Sequence, residues 1–150
     1  MLIKRLVVAT ALLASVGAVL AHGDVTPQVV DVSTLRPLGD GILDSNPYVG
    51  DKEAIRVGSS AYNQNCARCH GLEAISGGVS PDLRKLNDEC ATVNANKKKQ
   101  CQVELDSYYR NSVLGGKVRD GRVYMPAFAG ILSQEAIWAI KSYIETRKYE

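Results

Sequence analysis

Methionine and histidine are scarce in this chain: its 150 residues hold Met1 and Met125, His22 and His70, and no others. That count excludes a metal site assembled from several imidazoles, and catalysis that needs an acid–base histidine beside a ligating one. Cysteine stops at four. Cys90 and Cys101 stand eleven positions apart, so the second close pair of a zinc ribbon is missing. Long apolar runs are missing beyond the start of the chain. The uncharged run there, Leu6–Leu20, follows Lys4 and Arg5 and leads into Val19-Leu20-Ala21, small residues of the kind a signal peptidase reads. Residues 1–21 therefore read as a secretory signal cut after Ala21. The run is shorter than the roughly 20 residues that cross a bilayer, which argues against an uncleaved anchor and leaves the mature chain without a stable membrane span. Net charge is lacking as well. Removing the leader takes away Lys4 and Arg5 and leaves basic side chains equal in number to the 16 acidic ones. A neutral chain gives no reason to expect nucleic acid as a partner, and any electrostatic steering must come from local patches.

What the chain does have is Cys66-Ala67-Arg68-Cys69-His70. C-x-x-C-H is the attachment signal of a c-type haem. Two thiols must each form a thioether to a vinyl group, and an imidazole must then reach the iron from one side of the ring. One helical turn brings Cys66 and Cys69 to one face with His70 beside them. A bare zinc pair or a thioredoxin-like dithiol does not predict the histidine, and the latter wants a β-α-β setting that is not evident here. Export places the chain where disulfides persist. The four cysteines then divide into two for haem and two, Cys90 and Cys101, for a structural bridge worth about 3 kcal/mol. A redox-active pair would want closer spacing.

At this length the chain supports one domain. Residues 22–50 hold three of the five prolines, several Gly and Asp, and no sustained period, and read as an irregular arm lying on a domain that spans 51–150. His22, the new N-terminus, reads as an exposed end rather than a copper ligand. Asp51 is placed to cap a helix bearing Ala54, Ile55, Gly58, Ala61 and Tyr62 on one stripe, with Gly58 letting another helix come close. After His70, Gly71, Gly77 and Gly78 suit a backbone folded against a flat macrocycle, and a carbonyl in this stretch can take the second ring proton of His70. Arg84 reads either as a propionate partner or as a solvated cation. A loop carrying Lys97, Lys98 and Lys99 is expected inside the bridge, then a helix from Val103 to Leu114 ended by Gly115-Gly116, and a turn at Asp120-Gly121. Ser133 caps a last helix from Gln134 to about Lys148, apolar along Ile137, Ile140 and Ile144, with Lys141, Glu145 and Lys148 as its wet side.

Met125 is the one methionine of the mature chain, set between a Gly-bearing turn and Pro126 in a segment too irregular to fill a helix interface. Its thioether is favoured as the second axial ligand over core packing and over His22. His/Met ligation leaves no position for substrate at iron and suits a carrier of single electrons rather than a peroxidase-type enzyme.

With Cys66–His70, the Gly58/Tyr62 helix, Pro81, Met125 and Ile137-Trp138-Ala139-Ile140 in order, residues 51–148 resemble class I cytochrome c. The resemblance implies an all-α fold wrapped around one haem, first and last helices crossing at Gly58 and Tyr143, the Pro81 carbonyl facing His70, and Met125 as distal ligand. Ser80 stands where that family has Gly. More narrowly, the His22–Gln28 segment, Ser59-Ser60-Ala61-Tyr62-Asn63-Gln64-Asn65, the Cys90/Cys101 insertion and Tyr124-Met125-Pro126-Ala127-Phe128 resemble periplasmic cytochromes that accept electrons from pyrroloquinoline-quinone (PQQ) alcohol dehydrogenases. That likeness implies a monomeric periplasmic carrier with such a dehydrogenase as donor, and a terminal oxidase or another cytochrome as acceptor. The alternatives are a general periplasmic cytochrome c serving another dehydrogenase, and a peroxidase-type enzyme.

Overall fold

The computed structural model describes residues 26–78 and 80–148. The leader and His22 lie outside the described residues. Five helices and one short hairpin follow in order: α1 Lys52–Asn65, α2 Ala67–His70, α3 Asp88–Ala91, α4 Ala95–Gly115, β1 Lys117–Arg119, β2 Arg122–Met125 and α5 Gln134–Ile144. The architecture is helical around a single core, in agreement with the all-α expectation.

Helix α1 starts where Asp51 accepts hydrogen bonds from the backbone N–H groups of Glu53 and Ala54 at 2.9 and 3.0 Å. Its buried face is Ala54, Val57, Gly58, Ala61, Tyr62 and Asn65, with Ile55 half-buried at the edge. A Cβ built on Gly58 would stand 1.9 Å from the carbonyl oxygen of Ala139, so hydrogen is the only side chain that lets α1 and α5 meet here. The crossing therefore falls at Ala139, one turn before Tyr143. Tyr143 instead packs on Tyr62, ring centroids 5.3 Å apart.

Helix α5 is capped by Ser133, whose hydroxyl accepts from Ala136 N at 3.3 Å, and ends at Ile144 rather than near Lys148. Of its expected wet side only Lys148 is exposed, and Glu145 is half-buried. Lys141 is fully buried, its Nζ 2.8 Å from Asp106 Oδ1 and 2.5 Å from Glu145 Oε1. A helical wheel drawn for α5 alone misses the two elements that cover that side, α4 carrying Asp106 and Tyr109, and the arm.

The arm between residues 26 and 50 forms no helix or strand, yet Leu35 and Tyr48 belong to the core. Asn46 N donates to Asp106 Oδ2 at 2.8 Å, Asn46 Nδ2 donates to Ser142 Oγ at 3.0 Å, and the Ser142 hydroxyl reaches Tyr48 O at 3.0 Å. Gln134 Nε2 donates to Gly39 O and Gly41 O, and Glu135 accepts from Leu38 N at 3.0 Å. The arm thus wraps the start and the outer face of α5.

Helix α4 runs 21 residues, beginning eight positions before the expected start. Asn94 caps it, and Lys97, Lys98, Lys99 and Cys101 lie on its exposed first turns rather than in a loop. Lysine and glutamine favour helix, and the cap supplies the missing start signal. Cys90 on α3 is bonded to Cys101 on α4, Cα atoms 5.8 Å apart. Beyond Gly116, Asp120 and Gly121 both take positive φ, 50° and 72°, and close a two-residue turn between β1 and β2. That hairpin replaces the plain turn expected from the sequence.

Candidate haem site

The site grows out of the end of α1. Cys66 leaves helical geometry at φ −120°, and the single turn of α2 is then closed by hydrogen bonds from Cys69 N and His70 N to Cys66 O, at 3.1 and 3.0 Å. Cys66, Cys69 and His70 are thereby held on one turn. Tyr62 Oη donates to Gly71 O at 2.8 Å and pins the far end of that turn to α1. Gly71 has φ 80°, and a Cβ there would meet Ile75 O at 1.9 Å, so the sharp exit after His70 requires glycine.

The next loop returns over the imidazole. His70 Nδ1 lies 3.0 Å from Pro81 O. A proton on Nδ1 donated to that carbonyl leaves Nε2 with its lone pair directed away from the loop. Ser80 does not disturb this contact, because its own carbonyl accepts a hydrogen bond from the Ser76 hydroxyl. Asn65, which the sequence reading passed over, is buried at the start of the motif. Its Oδ1 accepts from Gln28 N at 2.7 Å and its Nδ2 donates to Ala61 O at 3.2 Å, tying the arm to the motif.

A cavity of about 720 Å³ opens in front of these groups, lined by Cys66, Cys69, His70, Pro81 and Met125 together. Its floor is apolar, with Leu83, Leu105, Tyr109, Phe128, Ile140 and Ile144 contributed by four separate stretches of chain. Met125 is half-buried at the end of β2. Gly116 makes room for its backbone, since a Cβ there would stand 2.5 Å from Met125 O. Burial pushes the Cys66 thiol up to about 12, with Cys69 adding to the shift. Burial likewise raises the Tyr109 hydroxyl far above its ordinary value, and that hydroxyl donates to Ile137 O at 3.1 Å.

These residues fit a covalent haem. Two unpaired thiols, an imidazole oriented by a carbonyl, and a thioether share one greasy cavity of cofactor size. Among the described residues no three His, Cys, Asp or Glu side chains gather as a bare metal site. The Arg84 guanidinium makes a bidentate pair with Asp82, at 2.7 and 3.0 Å, and Arg84 borders a smaller cleft beside Glu145 and Arg147, while Asp82 itself lines the cavity. The cations on the cavity wall are Lys85 and Lys117. Cys101 also touches it, so the bridge to Cys90 buttresses the wall. The signal for Lys117 was present in Lys117-Val118-Arg119-Asp120-Gly121-Arg122-Val123, where Asp-Gly between alternating residues marks a hairpin.

Among the described residues no helix is long and apolar enough to cross a membrane. Residues 53–144 match the family described as cytochrome C oxidase, cbb3-type, subunit III. The chain is 50% identical to cytochrome c550 of Pseudomonas aeruginosa over 131 residues, covering 85% of this chain and 81% of that one. It is 35% identical over 100 residues to the quinohemoprotein alcohol dehydrogenase ADH-IIG of Pseudomonas putida, covering 67% of this chain but 11% of that much longer protein. A more distant relative is cytochrome c6 of Euglena gracilis, 28% identical over 90 residues, 60% of this chain and 88% of the relative. No solved structure matches the chain significantly.

Proposed function

Because the chain belongs to the cytochrome c family and carries electrons on one covalent haem c, we propose that it takes them from a PQQ-dependent alcohol dehydrogenase. Residues 1–21 direct it to the periplasm, and a terminal oxidase or another cytochrome receives the electrons. Cys66 and Cys69 would hold the haem by thioethers, and His70, through Nε2, and Met125 would ligate its iron. The haem supplies reversible one-electron chemistry at iron.

The protein's own work is geometric. Pro81 O fixes the tautomer and ring orientation of His70, and Gly71 fixes where the chain leaves it. The apolar floor keeps water from the ligands, which favours little rearrangement between redox states. A Met125 thioether bound to iron would leave no open position of the kind a peroxidase needs.

The observation that carries the donor is the pair of Pseudomonas putida relatives. In each the stretch similar to this chain is a small part, 11% and 13%, of a protein named quinohemoprotein alcohol dehydrogenase. A separate carrier similar to a segment fused elsewhere to the dehydrogenase is the detached form of the same relay. The test is stopped-flow reduction of the purified ferric protein by a quinoprotein alcohol dehydrogenase with ethanol, repeated with methanol. Fast, saturable reduction that depends on alcohol is expected. No reduction, with the haem still reducible by ascorbate, would leave a cytochrome c that serves another dehydrogenase.

A further inference from the structure

We propose that the hairpin β1–β2 is the surface on which the electron donor docks, and that the donor grips it with an apolar patch against one face and carboxylates against the other. The inference rests on the alcohol dehydrogenase reading above and adds where and how that partner is recognised.

The hairpin projects from the body of the molecule. Every residue from Lys117 to Tyr124 is exposed. Val118 and Val123 face each other across the ladder and are 66% and 68% exposed, and Tyr124 is 62% exposed. Beside them Tyr108 of α4 is 58% exposed and lies under the Lys117 ammonium, 4.8 Å from its ring centroid. Val118, Val123 and Tyr124 on one ribbon, with Tyr108 on the helix that precedes it, leave four large side chains in water unless something covers them. A two-stranded ribbon is marginal on its own, and this one is held at its root, where Phe128 N and Ala129 N donate to Val113 O and Leu114 O and Lys117 lies over Tyr108.

Charge says what kind of cover fits. The ribbon carries Lys117, Arg119 and Arg122 against one acid, Asp120, which lies 3.9 Å from Arg119. Arg119 and Arg122 are paired next in register after the valine pair, and successive strand side chains point to opposite faces, so the ribbon carries an apolar pair on one face and a cationic pair on the other. A partner that grips the ribbon meets both faces, and the surface complementary to the arginines is acidic.

Position connects the patch to the chemistry. Tyr108, Lys117 and Tyr124 are exposed and also line the cavity, so they form part of its mouth, and β2 ends in Met125. A partner seated on the ribbon is thus next to the strand that carries the proposed axial ligand. The other basic cluster, Lys97–Lys99, begins α4, about 25 Å from the ribbon at 1.5 Å per residue, and is not among the cavity-lining residues.

The experiment is the same stopped-flow reduction, run with holoprotein variants across salt concentrations. Arg119→Glu with Arg122→Glu is expected to slow the second-order rate roughly tenfold at low salt and to flatten its salt dependence. Val118→Ser with Val123→Ser is expected to slow it at every salt concentration and leave the slope unchanged. The haem spectrum and ascorbate reduction stay as in the wild type in both. Charge reversal at Lys97, Lys98 and Lys99 keeps the wild-type rate. Hairpin variants reduced as fast as the wild type overturn the docking site alone, as does an equal loss in the Lys97–Lys99 variant. A wild-type protein that no quinoprotein dehydrogenase reduces overturns the donor and the site together.

Discussion

Lys141 holds its ammonium group where no water reaches it, and the carboxylates of Asp106 and Glu145 make that tolerable. Taking the cation away leaves Asp106 buried beside Asn46 with its charge uncompensated. Lys141→Met is therefore expected to cost about 3–5 kcal/mol in urea unfolding of the holoprotein, against less than about 0.5 kcal/mol for Lys98→Met on the exposed start of α4. Small, equal losses would mean that water reaches the cluster in solution. At Met125 the proposed coordination predicts a different readout. Met125→Ala lowers the reduction potential and opens the iron to cyanide or carbon monoxide, and an unchanged potential with unchanged ligand affinity would remove Met125 from coordination. The two residues also differ in how far the sequence exposed them. The place of Met125 on the cavity wall was legible because only one methionine stands beyond residue 1. Lys141 was not, because burial of a lysine depends on partners 35 and 95 positions away, at Asp106 and Asn46, and no local period records them.

Among the elements, α1 and α5 depend on each other most directly. Gly58→Ala improves helix propensity by about 1 kcal/mol, but its methyl group would overlap the Ala139 carbonyl and push two backbones apart. The overlap is expected to win, with a net loss of about 1–3 kcal/mol in denaturant midpoint and no change in haem attachment; a stabilised variant would mean the helices can slide. Both helices were readable from caps and apolar stripes, since Asp51 and Ser133 act within three residues of themselves. The length of α4 was not. Its first turns are polar all round and are fixed by Asn94 and the bridge to Cys90. The hairpin was missed for the opposite reason: its Asp-Gly signal was local and plain, but was read only as a turn.

For the whole molecule, the arm is the feature that sequence pattern described least. It has no periodicity, yet it closes the outer face of α5 and is joined to α1 through the Thr34 hydroxyl, which donates to Glu53 Oε1 at 2.6 Å. Hydrogen bonds from Arg56 and Thr34 hold the Glu53 carboxyl down to about 2 from an ordinary 4.5. A carboxylate depressed on folding stabilises the native state fully above its unfolded value, and that contribution fades as pH falls through the folded one. The stability difference between wild type and Glu53→Gln is thus expected to be largest near neutral pH, to start shrinking below about pH 4.5 and to vanish towards pH 2; a difference independent of pH would mean that neither Arg56 nor Thr34 holds the carboxylate in solution. The contact of Gly58 with Ala139 also sets a timetable. Ribosomes make chains from the N-terminus, so Cys66 and Cys69 emerge long before the helix that will complete their enclosure. Until the last helix docks α1 has no mate, and the cavity in front of both thiols lacks the Ile140 and Ile144 side chains of its floor. The glycine at position 58 therefore decides, from outside the cavity, whether the pocket for the cofactor can be completed at all.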